Sequence, residues 1–355
     1  MDKIWANSGD SHLLEPVDLW TSRLPSGLAE RAPRTERGDR LETIYVDNVI
    51  QRRALNDFMD SFRPPGAYDV ALRIQDMDSE GIWGQLVFPS MGLWTVLIQD
   101  RELAAACVRA YNDWCREEIM DVSPRLVGAA LLSMASVEDA VTELQRAAGL
   151  GFQCVFLPTT VPDGLEYAQE LWEPVWAAAE EAGLLIAFHI GTGSDGKAFR
   201  GPGGAVINYV ETTFPGMRVV THLVAAGVLD RHPRLRILIA EGGASWVPAL
   251  ADRMDEGYRQ HGNWALPKLS ALPSELIYRQ VYTSFQHDVS AVPAVTAMGY
   301  RNVMWGDDYP HLEGTYGHTQ KTLHELFQDV SDEVRHTITL DTFRSLFTVP
   351  DRVEA

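Results

Sequence analysis

Short apolar runs rich in β-formers alternate along this chain with longer segments whose apolar residues recur at helical spacing. That rhythm predicts βαβ units and a parallel sheet. The runs that read as strands are IWANSGDSH, GQLVFPS, LVGAALLS, QCVFLP, LLIAFHI, RILIAE, VYTSF and NVMWGDD. They end near His12, Pro89, Ser133, Pro158, His189, Glu241, Phe285 and Asp307. Helices are predicted between them in DRELAAACVRAYNDWCREEIM, SVEDAVTELQRAAG, YAQELWEPVWAAAEEAG and SWVPALADRMDEGYRQ. Eight strands separated by helices fit a closed (β/α)8 TIM barrel of the α/β class, a fold of about 250 residues before insertions. A doubly wound open sheet is the competing architecture, because strand count does not establish closure. The segment from about 21 to 66 breaks the rhythm; rich in Arg, Pro and Asp, it reads as an insertion after the first strand, near the barrel mouth. Extra C-terminal helices after Asp307 are expected to pack outside the barrel, and residues 1–355 as a whole read as one barrel domain.

Composition narrows the setting. Hydrophobic residues make up 46% and charged residues 22%, as in globular proteins, and the length allows a large core without disulfides. Cys107, Cys115 and Cys154 lack CxxC spacing and read as reduced thiols of a cytoplasmic protein. No basic segment followed by an apolar run opens the chain, and no stretch approaches the roughly 18 apolar residues of a membrane helix. A net charge of -19 argues against nucleic acid or an anionic membrane as partner. A small-molecule substrate and a homo-oligomer, first of all a dimer, are the expected partners.

In a (β/α)8 barrel the carboxyl ends of the strands carry the chemistry. The first predicted strand ends in Asp10-Ser11-His12, the fifth in His189, the sixth in Glu241 and the eighth in Asp307-Asp308. The i, i+2 spacing of Asp10 and His12 puts both side chains on one strand face. With His189 and Asp307 they offer two nitrogen and two oxygen ligands, a set that suits zinc first, with manganese or iron(II) also compatible. Each residue alone reads equally well as a turn cap or an isolated hydrogen-bonding group; the constellation is the signal. Asp307 is the expected acid/base, with Glu241 and His287 as further catalytic candidates. His311 and Trp246 are expected to bind substrate, whereas His222 reads as a core histidine and His232 as a solvated one.

The segments GDSHLLEPVDLW, FHIGTGS, RLRILIAEGGASWVP and NVMWGDDYPH resemble the amidohydrolase-related branch of the amidohydrolase superfamily. That branch includes aminocarboxymuconate-semialdehyde decarboxylase and related nonoxidative aromatic-acid decarboxylases. The resemblance runs from about residue 7 to residue 320 and is weakest across the insertion. It implies a barrel with one catalytic ion, held by an acidic-or-His-x-His pair on strand 1, a His on strand 5 and an Asp on strand 8. Those roles fall on Asp10, His12, His189 and Asp307. The chain departs from the family pattern in carrying Asp10 where others carry His or Glu, and Glu241-Gly242-Gly243 where many carry His-Gly-Gly. Binuclear members of the superfamily bridge two ions with a modified lysine at the end of strand 4. Here the only lysines are Lys3, Lys197, Lys268 and Lys321, none of them at that place, which favours a single ion.

The resemblance implies nonoxidative decarboxylation of a small aromatic or unsaturated carboxylic acid. Hydrolysis of an amide, ester or lactone by ion-activated water is the alternative, and a barrel that binds metal or ligand without catalysis is a third reading.

Overall fold

The computed structural model describes residues 2–39, 41–54, 64–193, 199–262, 264 and 267–352. Strand β1 (Ala6–Ser8) and the short β2 (His12–Leu13) both pair in parallel with β6 (Ile82–Pro89). From β6 the sheet continues through β7 (Leu126–Leu131), β8 (Cys154–Thr160), β9 (Leu185–Gly193), β10 (Arg236–Ala240), β11 (Val281–Phe285) and β12 (Val303–Trp305). Every neighbouring pair along this path is parallel. Backbone bonds close the circle: Gly9 N–H donates to Trp305 O at 2.9 Å and Asp308 N–H to Asp10 O at 3.0 Å. The protein is therefore a barrel and not an open sheet. Each predicted strand run overlaps a barrel strand, and the first also reaches β2.

The strands are nearly continuous apolar runs because both their faces are covered. Leu86, Phe88, Leu185, Ala187, Leu238 and Met304 belong to an inner cluster, while their neighbours Val87, Ile186, Phe188, Ile237 and Trp305 pack in the outer shell with the helices. The helices start where the sequence supplies caps. Asp100 accepts from the N–H groups of Glu102 and Leu103 to open Arg101–Cys115, and Ser136 accepts from Asp139 N–H to open Val137–Gly149. The C-terminal tail does more than lie against the outside. Phe343, Leu346 and Phe347 join the inner cluster, so the helix Thr342–Leu346 caps the barrel end-on.

The insertion forms a separate antiparallel sheet of β3 (Arg34–Arg37), β4 (Leu41–Val46) and β5 (Val49–Ala54). A two-residue turn, Asp47-Asn48, joins β4 to β5, and Asp47 adopts a φ of 51°, as such hairpin turns require. Expected as an insertion near the barrel mouth, this segment, of which residues 40 and 55–63 lie outside the described residues, supplies part of the wall there. Among the described residues no helix is long and apolar enough to cross a membrane. All three cysteines are free and buried, and burial pushes the Cys107 and Cys115 thiols up to about 12.

Candidate metal centre

Alternation along β9 sets the first ligand. Leu185 and Ala187 face inward, so His189, two residues on, also faces inward at the carboxyl end. His12 reaches the same point from β2 and is fully buried, as is Asp10 just before it. His12 Nδ1 lies 3.0 Å from Pro89 O and His189 Nδ1 lies 2.9 Å from Ile190 O. A carbonyl oxygen only accepts, so each Nδ1 carries its hydrogen, and each ring, when neutral, turns an Nε2 lone pair toward the centre. The two Nε2 atoms face each other at 3.0 Å, and Asp10 Oδ1 stands 3.4 Å from that of His189. Neither carboxylate oxygen of Asp10 has a hydrogen-bond partner although both are buried. Facing lone pairs beside an unpartnered carboxylate call for a shared cation.

Two more carboxylates converge there. Asp308 Oδ1 lies 3.7 Å from His12 Nε2 and accepts from His311 Nδ1 at 2.8 Å, while its Oδ2 is buried and unpartnered. Glu241 Oε2 lies 3.7 Å from His189 Nε2, and its N–H donates to Ser284 Oγ at 2.8 Å. Both carboxylates sit on left-handed backbone, with φ of 49° at Asp308 and 60° at Glu241. Non-glycine residues adopt that conformation rarely and at some cost, and such strain clusters at functional sites. The donor atoms form three overlapping triads: Asp10, His12 and His189; His12, Asp308 and His311; Asp10, Glu241 and Asp308. Imidazole lone pairs with buried, unpartnered carboxylate oxygens fit a divalent ion.

The electrostatics agree with that reading. Burial, and then the neighbouring carboxylates, hold both Asp308 and Glu241 well above the ordinary carboxylate range. Burial and the nearby His311 and His189 hold His12 well below the usual imidazole range. Burial opposes charge on His189 as well, but Asp10 and Glu241 outweigh it and raise its pKa.

The surroundings of Asp307 differ from those expected of a ligand and acid/base. Its Oδ1 accepts from Ser8 Oγ at 2.6 Å and its Oδ2 from Gln85 Nε2 at 2.8 Å, so both oxygens are engaged behind the ligand cluster. Gln85 Oε1 in turn accepts from Arg73 Nε at 2.8 Å, and Arg73 Nη1 donates to His12 O at 2.7 Å. Burial raises Asp307 to about 6, with Ser8, Arg73 and Gln85 pulling the other way. Alternation accounts for the direction of Asp307: the inward residue of β12 is Met304, so Asp307, like Trp305, falls on the other side.

His287 and Trp246 also differ from expectation. His287 is exposed, with Nε2 against Glu313 O at 3.1 Å, and it does not line the cavity above the cluster. Trp246 stands outside that lining too; its Nε1 donates to Gly242 O and Gly243 O, fixing the turn after Glu241. His311, Glu241, His12 and His189 do line the cavity, whose volume is about 600 Å³. The sequence reading missed Glu15. This buried carboxylate accepts from the N–H groups of Ser90, Met91 and Gly92 and so holds the loop after β6.

A parallel barrel with histidines and carboxylates gathered at the carboxyl ends of its strands defines a metal-dependent barrel enzyme. The chain belongs to the amidohydrolase family, whose model matches residues 82–347. It is 26% identical over 255 residues to 2-amino-3-carboxymuconate-6-semialdehyde decarboxylase of Dictyostelium discoideum, covering 68% of this chain and 67% of that protein. Its fold is similar to an amidohydrolase of Mycobacterium avium subsp. paratuberculosis, with a TM-score of 0.80, 19% identity and coverage of 98% of this chain and 100% of the other. It is also similar to a dihydroxybenzoic acid decarboxylase of Polaromonas solved with bound manganese, with a TM-score of 0.65, 18% identity and coverage of 97% and 96%.

Proposed function

We propose that the protein is a nonoxidative decarboxylase of an aromatic or unsaturated carboxylic acid, with one divalent ion held by Asp10, His12, His189 and Asp308. The observation that carries the site is the pair of Nε2 atoms facing each other at 3.0 Å beside the unpartnered oxygens of Asp10. The relatives named as decarboxylases support the reaction class. Zinc suits the two nitrogens and two oxygens of this set. Manganese suits it equally once the Glu241 carboxylate is counted, and the Polaromonas relative carries that metal. When bound, the ion supplies Lewis acidity and positive charge against the substrate's carboxylate and an adjacent oxygen.

The chain's own groups supply the proton. Asp308 faces the cluster, and its Oδ1 is 2.8 Å from His311 Nδ1. His311 is half-buried and lines the cavity, so it connects Asp308 to substrate and solvent. A proton passed from this pair to the carbon that bears the carboxylate takes up a π-electron pair in a new C–H bond. The C–C bond to the carboxylate then breaks, its electrons restore the π system, and carbon dioxide leaves. The Ile190 carbonyl keeps His189 oriented by accepting from Nδ1 at 2.9 Å, while Glu241 Oε2 stands on the ion's side of the ring, 3.7 Å from Nε2.

The reaction class is testable before the natural substrate is known. Metal-loaded protein, screened against hydroxybenzoates, muconates and lactones, is expected to release carbon dioxide and to place solvent deuterium on the carbon that loses it. An active substrate that instead takes up oxygen from labelled water and releases no carbon dioxide would make the protein a hydrolase.

A further inference from the structure

The space above the ligand cluster is larger than the reaction needs. At about 600 Å³ it falls within the range, about 300–1,000 Å³, of pockets that hold drug-sized ligands. A one-ring acid seated at the cluster would leave most of it to water.

The walls of that extra space are largely apolar and built to stay in place, although the insertion strands also bring Arg34, Arg37 and Glu42 to the lining. The 3-10 segment Gly92–Leu97 contributes Leu93, Trp94 and Leu97, and carries no charged side chain. Met91 precedes it, and the Glu15 carboxylate pins this stretch through the N–H groups of Ser90, Met91 and Gly92. The insertion sheet adds Thr35 from β3 and Ile44 from β4, and Thr35 Oγ1 donates to Met91 Sδ at 3.5 Å, tying the two walls together. Trp20 lines the same space, with its ring fixed by a 3.0 Å bond from Nε1 to Cys107 O. Trp20 and Ile44 are locked in the core, whereas Leu93 and Trp94 remain half-buried and available to a ligand. A preformed apolar wall of this kind gains free energy only from a substrate long enough to cover it.

We infer that the substrate is a two-ring, aryl-extended carboxylic acid whose acid group sits at the ligand cluster and whose second ring packs against Met91, Leu93 and Trp94. The inference rests on the decarboxylase reading for the acid end alone; the extension rests on the cavity. Trp94 offers the ring an aromatic partner, worth more than its area alone when the two meet edge-on or offset.

Calorimetric titration of the metal-loaded protein tests this directly. The probes are a one-ring hydroxybenzoate and a set of hydroxybiphenyl carboxylates that differ in where the second ring is attached. At least one extended acid is expected to bind about tenfold or more tighter than the one-ring acid. If every extended acid binds equally or more weakly, the inference is overturned. Leu93→Trp, which fills the wall from within, should remove most of that advantage. Trp94→Ala should reduce the advantage by removing the aromatic partner, and it serves if Leu93→Trp does not fold. The wild-type comparison decides even if neither variant is recovered. Binding and carbon dioxide release are read separately. Tight binding of an extended acid with no release from any acid would count against the decarboxylase reading alone. Release from one-ring acids with no affinity gain on extension would count against this inference alone.

Discussion

Asp308→Asn is expected to lower turnover roughly 100-fold or more, the usual scale for loss of a positioned acid/base group. The substitution keeps the size of the side chain, so the fold should survive. It replaces one carboxylate oxygen by an amide nitrogen at a point where Oδ1 meets His311 and Oδ2 is buried without a partner. Proton exchange with His311 and one anionic donor disappear together. Asp307→Asn should give the opposite profile. Its two oxygens accept from Ser8 Oγ and Gln85 Nε2, and an amide cannot accept at both places. That change should cost about 1–3 kcal/mol of stability and leave turnover per folded molecule much closer to wild type. Steady-state kinetics at matched metal occupancy, paired with thermal melts, separate the two. A larger kinetic loss at Asp307 would return the acid/base role to that residue.

The second large effect is expected at Arg73. This guanidinium is fully buried, lies 4.7 Å from the centre of the Tyr309 ring, and bonds Gln85 Oε1 and His12 O. Burial lowers its pKa to about 10, against the pull of Asp307, so it remains charged at neutral pH. Through Gln85 it is linked to Asp307, and through His12 O to the backbone of a proposed ligand. Arg73→Met keeps much of the apolar volume but leaves Gln85 Oε1 and the His12 carbonyl without their donor and Asp307 without its nearby cation. Removing one member of such a buried network costs about 3–5 kcal/mol. Chemical denaturation of wild type and Arg73→Met should show a midpoint shift of that size; coincident curves would mean that the network carries no stability.

Much of the barrel was legible because its strands are buried on both faces. Runs such as LLIAFHI and RILIAE then stand out as uninterrupted apolar segments between amphipathic helices. Closure was not legible, since it depends on bonds between the two ends of the sheet, such as Gly9 N–H to Trp305 O. The insertion hid a readable hairpin: LETIYV alternates and is followed by the Asp47-Asn48 turn, but Arg-rich flanks drew attention to composition instead.

At the site, Asp10, His12, His189 and Glu241 stand near the ends of strand runs read from the sequence, and the structure brings them together. The structure points Asp308 into the cluster and Asp307 away from it, a distinction the pair Asp307-Asp308 does not show in sequence. Trp305 faces the helices and Met304 the interior, which only the packing reveals. Trp246 and His287 stand outside the cavity lining, since both follow strands at turns whose direction no periodicity fixes. His222 is half-buried beside Arg218 instead of lying in the core. His232 is buried between Glu173 and Glu180, partners supplied by a helix far away in sequence. The same distance hid Arg73 and Gln85, whose meaning depends on contacts with Asp307 and the His12 carbonyl.

The central claim is that the strand ends form a single divalent-metal site, and metal content tests it most directly. Elemental analysis of the purified protein should find about one divalent ion per chain in wild type. His189→Ala removes one of the two Nε2 atoms that face each other at 3.0 Å, and it should retain only a small fraction of the ion. Wild type should also melt higher than its chelator-treated form, because an ion that binds only the native state stabilises it. Full metal content in His189→Ala, or wild type that binds no divalent ion when supplied with zinc and manganese, would contradict the account.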